Sequence, residues 1–182
     1  LKFPREATIA RDGLGVYVAG ANSGVAAFRR EPSTGALTWA QTTTELAPVL
    51  VVGVAVSPDG SSVYTGSVNR AAVFGFRRDP ATALLTGSGC VKDPSSSATC
   101  ATTSGGMPGT EGVVVAPDGA SLYSTSFYGS ALATFARNRT DGVLSPTGCF
   151  RDPTGLALGC STFVDGLGSS RAVTTSPDAS TT

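Results

Sequence analysis

One phrase recurs along this chain: a short hydrophobic strand, Pro-Asp-Gly, a Val/Leu-Tyr strand, then an aromatic strand ending in arginine. Val54-Ala55-Val56-Ser57-Pro58-Asp59-Gly60 returns as Val113-Val114-Val115-Ala116-Pro117-Asp118-Gly119. It fades into Ala172-Val173-Thr174-Thr175-Ser176-Pro177-Asp178, and a degenerate copy stands first as Ala7-Thr8-Ile9-Ala10-Arg11-Asp12-Gly13. The anchoring aspartates Asp12, Asp59, Asp118 and Asp178 are 47, 59 and 60 residues apart. A period of that size belongs to an array of like units, each able to bury its core only against its neighbours.

Within each copy hydrophobic residues alternate, as strands require. The first offers Ile9, Val16, Tyr17, Val18, Val25 and Phe28; the second Val54, Val56, Val63, Tyr64, Val73, Phe74 and Phe76; the third Val113, Val115, Leu122, Tyr123, Leu132 and Phe135. Proline presets φ and glycine accepts φ > 0, so Pro-Asp-Gly reverses the chain in a few residues. Polar breaks at Ala21–Gly24, Ser67–Arg70 and Ser126–Ser130 separate the second strand from the third. Turns at Pro32–Leu37 and Thr140–Leu144 start a fourth. Four antiparallel strands per repeat make one β-propeller blade. The expected fold is therefore all-β, a partial propeller with approximate repeats 7–53, 54–112 and 113–171, and 172–182 opening a fourth. Three blades leave two raw sheet edges. The chain thus reads as a piece of a longer protein, or as one of several chains that complete a ring together.

The cadence Ser57-Pro58-Asp59-Gly60, Val63-Tyr64, Phe74 and its partner Pro117-Asp118-Gly119, Leu122-Tyr123, Phe135, with Thr34-Gly35-Ala36-Leu37, resembles blades of the lactonase-type, 6-phosphogluconolactonase-like seven-bladed propellers. The likeness runs along essentially the whole chain and implies a lactone hydrolase. It speaks for blade structure more than for catalysis. The chain has no histidine, so chemistry assigned to histidine in that family is absent from these blades. The cysteine loops are closer to secreted bacterial variants of the family.

Formal charge is zero, with 13 basic and 13 acidic residues, which gives no electrostatic reason to expect nucleic acid or an anionic membrane. No apolar stretch reaches the ~20 residues a bilayer helix needs. Nothing calls for a cofactor: there is no phosphate loop, no Gly-x-Ser-x-Gly elbow and no metal-binding carboxylate spacing. Gly105-Gly106-Met107-Pro108-Gly109 reads as a flexible loop.

Cys90 and Cys100 follow the fourth strand of the second copy; Cys149 and Cys160 stand in the same place in the third. Zinc fits badly, because the spacings are long and the pairs sit on separate blades. One local disulfide per blade, Cys90–Cys100 and Cys149–Cys160, is the expected arrangement. It implies an oxidising compartment, with the parent protein secreted or at the cell surface.

The four aspartates occupy the same turn in every repeat, so they serve the turn rather than a catalytic cluster. The arginines at the third-strand ends, Arg29-Arg30, Arg77-Arg78, Arg137 and Arg139, read as solvated strand ends. More informative are positions where the repeat stops repeating. Seven residues before each anchor stand Arg5, Val52, Glu111 and Arg171. By analogy with other propellers, the first strand lines the central channel, placing these residues at its mouth. An Arg–Glu–Arg arc there suits a carboxylate or sugar held by bidentate hydrogen bonds. In a hydrolase, Glu111 is the expected base, with Arg5 or Arg171 as electrophilic partners. The competing reading is that Glu111 and Arg171 pair with one another. On the same face the second-to-third connections bring Asn22, Asn69, Arg70 and the aromatic pair Phe127 and Tyr128, suited to stacking on a glycan or gripping a protein. The leading expectation is a binding scaffold for a small molecule, glycan or protein. A lactone hydrolase comes second and a structural surface array third.

Overall fold

The computed structural model describes residues 3–43 and 49–176; the fourth anchor, Asp178, lies outside the described residues. The first sheet holds β1 (Pro4–Ile9), β2 (Gly15–Gly20), β3 (Gly24–Arg30) and β4 (Leu37–Thr42) in sequence order. The second holds β5 (Val51–Val56), β6 (Ser62–Ser67), β7 (Ala72–Arg78), β8 (Leu85–Lys92) and β9 (Thr102–Thr103). The third repeats it with β10 (Thr110–Val115), β11 (Ser121–Ser126), β12 (Ala131–Arg137), β13 (Leu144–Arg151) and β14 (Thr162–Phe163). The first four strands of each form an antiparallel meander, so the chain is an arc of three propeller blades. Residues 172–176, the described part of the expected fourth repeat, carry no strand, and Ala172 lies beside Gly112.

The two faces of each sheet have different neighbours because side chains alternate along a strand. In the second blade, Val63, Phe76 and Leu85 pack toward the first blade with Tyr17, Ala19, Val25 and Ala27. The opposite face sends Tyr64, Val73 and Val91 against Leu122, Phe135 and Leu144 of the third. The core is thus two interblade seams rather than one centre.

Each seam is closed by a polar latch that overturns one expectation. Arg78 and Arg137 are not solvated strand ends: they are 6% and 5% exposed. Arg137 crosses to the previous blade, donating from Nη1 and Nη2 to the Asp59 carboxylate at 2.9 and 3.1 Å, and from Nε to the Tyr64 hydroxyl at 2.9 Å. It also donates to the Gly119 carbonyl in its own blade. Arg78 repeats the arrangement one blade earlier, with an ion pair to Asp12 at 2.7 Å and a hydrogen bond from Nε to Tyr17. Tyr17 and Tyr64 donate in turn to the carbonyls of Ala83 and Gly142 in the next blade. The aspartates do serve their turns, accepting from the Leu14 and Ser61 amides. In Asp12 the second oxygen does the interblade work, and in Asp59 both oxygens take part in it. Burial acts to raise the Asp59 carboxyl. Hydrogen bonds from Ser57, Ser61 and Arg137 outweigh it and hold the carboxyl far below the ordinary carboxylate range. Arg29, Arg77 and Arg139 remain exposed, as expected of strand ends.

Both disulfides form, Cys90–Cys100 and Cys149–Cys160, each with Cα atoms 5.3 Å apart. Each closes the loop leaving the fourth strand and returns the chain alongside it. That return creates β9 parallel to β8 and β14 parallel to β13, two short strands that no hydrophobic alternation announces. The Gly105–Gly109 segment is not a flexible loop. Met107 is fully buried, and a Cβ on Gly106 would press on the sulfur of Cys160 and the Cβ of Cys149. Glycine is required there by close packing against the disulfide.

Candidate functional site at the channel mouth

The innermost strands β1, β5 and β10 lie side by side, and each breaks register with its partner near its start. The shifts fall between Pro4 and Glu6, Val51 and Val54, and Thr110 and Val113. A bulge of this kind re-aims the side chains within it, and the residues inside these three include Arg5, Val52 and Glu111. Gly53 and Gly112 make the close approach of neighbouring strands feasible. A Cβ on Gly53 would collide with the Glu111 carbonyl, and one on Gly112 with that of Arg171. The same register thus recurs three times, and the channel-mouth side chains are held by backbone that admits no bulk.

Arg5, Val52, Glu111 and Arg171 line one cleft of about 290 Å³, together with Glu6, Gly53, Gly112, Val113, Ala172 and Val173. Glu111 is 8% exposed, although it carries a carboxylate. Both its oxygens accept from Arg171 Nη1, at 3.2 and 3.3 Å. The pairing expected as the competing reading is therefore present. Arg171 is the exposed partner of the pair: 63% of its side chain is exposed, and its guanidinium lies 3.9 Å above the Phe127 ring. Phe127 meets Tyr128 edge-on with ring centroids 5.2 Å apart. An aromatic face thus extends the cleft outward through the arginine. Arg5 is exposed and meets no carboxylate among the described residues.

Glu6 was missed in the sequence. Its Oε2 accepts the Val54 amide at 2.9 Å, tying the first blade to the second at the channel wall. Its signal in the sequence is another break in the repeat: at six residues before the anchor the other copies carry Gly53, Gly112 and Ala172.

The remaining expected residues do not join this cleft. Asn69 Oδ1 accepts from the Leu50 amide and the Ser67 hydroxyl, which fixes its own turn. Arg70 donates to Ser97 in the cysteine loop of its own blade. Asn22 is an exposed turn residue at φ 62°, its amide bonded to the Val49 carbonyl. Among the described residues no group of three or more His, Cys, Asp or Glu stands close enough to hold a metal.

Neither a family model nor a curated protein sequence matches the chain. Its backbone is similar to a candidate 6-phosphogluconolactonase from Bacteroides uniformis, with a TM-score of 0.65 at 18% identity over 80% of this chain and 40% of that one. It is similar to a second such protein from Bacteroides fragilis, with a TM-score of 0.60 at 23% identity over 79% of this chain and 37% of that one. A periplasmic gluconolactonase from Pseudomonas aeruginosa gives a TM-score of 0.60 at 23% identity, over 80% of this chain and 41% of that one. These likenesses establish the fold, an arc of a β-propeller. The chain spans about two fifths of the length of those structures.

Proposed function

We propose that these blades belong to a secreted or cell-surface propeller of the lactonase-like group, and that the channel-mouth cleft holds a sugar lactone or the acid derived from it. The supporting observation is a buried carboxylate, Glu111, set between exposed guanidiniums in a cleft of sugar size. Two disulfides fit the oxidising compartment this reading requires.

The chemistry follows from those groups. A lactone carbonyl oxygen meeting Arg171 or Arg5 accepts from the guanidinium, and Arg171, 63% exposed, exchanges its contact with Glu111 for one with the ligand. The carboxylate so released accepts a proton from water, whose oxygen attacks the carbonyl carbon. The tetrahedral oxyanion is stabilised by the arginine. Collapse breaks the ring C–O bond and the leaving alkoxide takes the proton from Glu111; the new carboxylic acid gives its remaining proton to bulk water, and the hydroxy acid is held as a carboxylate by arginine before it departs. The closed ring is the catalytic unit in this reading, since the cleft is walled on one side only by the arc.

Binding without turnover is the second reading. It draws on the Arg171–Glu111 pair, which occupies the base, and on Tyr128, 58% exposed beside Phe127. Hydrolysis of glucono-1,5-lactone by the closed ring, followed by pH-stat with Glu111→Gln alongside, separates the two. Loss of about two orders of magnitude in rate on substitution is the result the hydrolase requires. Absence of turnover across sugar and acyl lactones leaves the binding scaffold.

A further inference from the structure

The two interblade seams differ at one register of the outer strand. There β4 carries Gln41 opposite Ala27, whereas β8 carries Gly89 opposite Gly75. The residue skipped by the ladder just before it is Ala40 in the first blade and Ser88 in the second. Gln41 bridges the first seam. Its Nε2 donates to the Leu85 carbonyl at 2.9 Å, and its Oε1 accepts from the Leu85 amide at 3.1 Å. One carboxamide thus satisfies both backbone polar groups of the residue that opens the next blade's fourth strand.

Leu144 stands in the third blade where Leu85 stands in the second, each paired with its latch arginine. The Arg137 amide bonds to the Ala120 carbonyl on the far side of β12, and the Asn138 amide bonds to the Val143 carbonyl across the turn. Arg137 and Leu144 therefore form a non-hydrogen-bonded pair, and the N–H and C=O of Leu144 point away from β12. Leu144 is buried, and buried backbone groups call for partners. The residue in Gln41's place is Gly89, and a Cβ there would meet nothing within 4 Å. The space opens into a cavity of about 280 Å³, lined by Gly75, Gly89, Leu144, Thr102 and the Cys90–Cys100 disulfide. Ser88 also lines it, and the Ser88 hydroxyl oxygen is buried with no hydrogen-bond partner among the described residues.

We propose that this cavity binds a small molecule presenting a primary carboxamide or a cis-lactam beside an apolar body. The ligand's N–H donates to the Leu144 carbonyl and its C=O accepts from the Leu144 amide, as the Gln41 side chain does at Leu85. The Ser88 hydroxyl supplies a further hydrogen bond, and the apolar body lies against Val91 and the disulfide. A carboxylate does not fit at neutral pH, because both its oxygens are acceptors and one would face the Leu144 carbonyl. The site shares no lining residue with the channel-mouth cleft, so it is independent of any ligand held there.

Amide chemical-shift titration of the full chain at neutral pH tests the proposal, with benzamide and γ-butyrolactam as probes to about 50 mM. Saturable shifts are expected at the Gly89, Thr102 and Leu144 amides. Benzoate has the shape of benzamide without the donor, and N,N-dimethylbenzamide keeps the carbonyl alone. Each should bind at least about tenfold more weakly than benzamide. Gly89→Gln restores the first seam's side chain and should abolish binding. Gly89 sits at φ 124°, where a side chain strains the backbone, so Val143→Trp provides a second block. Val143 lines the cavity and is 43% exposed, and its replacement should remove the shifts while leaving the melting curve unchanged. No saturable shift at these amides with either probe means that the cavity holds water alone, and overturns the proposal. Binding of benzoate or N,N-dimethylbenzamide within tenfold of benzamide overturns it equally, as do shifts that survive Val143→Trp.

Discussion

The seam between the second and third blades and the free face of the first blade are built from the same residues at the same registers, yet they are physically different surfaces. At the seam, Arg137 is 5% exposed and has five side-chain and backbone partners, and Phe135 and Leu144 are buried. At the free face, Arg30 is half-buried with one carbonyl contact at 3.3 Å, and Leu37 stands in water. The residue type is constant, so the difference comes entirely from the neighbour. A blade of this kind is half a unit of stability, completed by the next blade.

The sharpest way to break that comparison is to remove the same side chain at both addresses. Arg137→Ala strips a desolvated charge from a network that was built around it and leaves Asp59 and Tyr64 facing a gap. The expected loss is about 3 kcal/mol in urea unfolding. The seam's disulfide comes next. Cys149 and Cys160 are 9% and 6% exposed and join the seam core, whereas Cys90 and Cys100 are not fully buried. The two loops are almost equal in length, with separations of 11 and 10 residues, so chain entropy predicts equal losses of roughly 2–3 kcal/mol for serine pairs. The Cys149/Cys160 pair should lose more, and the excess measures its packing in the seam.

Acid sharpens the comparison further. The Asp59 carboxyl is held below its ordinary value, so its contribution is fully present above the unfolded value of 3.8 and is lost as pH falls below it. Wild type should therefore soften progressively below about pH 4. Asp59→Asn should start about 1–2 kcal/mol less stable at neutral pH and show a shallower acid limb in melts across pH 2–6. The smallest effect is expected at the free face, where Arg30→Ala should change monomer stability by less than about 0.5 kcal/mol. A loss at Arg30 as large as that at Arg137, measured at concentrations where the chain is monomeric, would show that neighbour burial is not what distinguishes the two.

The propeller was legible because its signals are local and repeated: alternation within strands, Pro-Asp-Gly between them, and a fixed anchor from which Arg5, Glu111 and Arg171 could be counted to one cleft. The latch was not read, although the tyrosine stands five residues after the aspartate in every copy and the arginine 18 or 19 after it. Repetition marks a position as structural. It does not tell that Arg137 leaves its own blade for an aspartate 78 residues earlier, and a charged residue at a strand end has solvent as its ordinary partner. The loop residues Asn69 and Arg70 were placed on the right connection, but their hydrogen bonds turn them to local work. That choice depends on side-chain geometry within a few ångströms of Leu50 and Ser97, which no pattern of residue types encodes. β9 and β14 are set by where a disulfide returns the chain, so two threonines suffice to make a strand of Thr102–Thr103.

The central functional claim is that the bulged first strands present a ligand cleft around Glu111. Amide chemical-shift mapping of this chain during titration with D-gluconate tests it most directly. The predicted result is saturable shifts at Gly53, Gly112, Arg171 and Ala172 that disappear in Arg171→Ala. Shifts confined to the disulfide loop at Cys90–Cys100, or no saturable shifts at all, would contradict it.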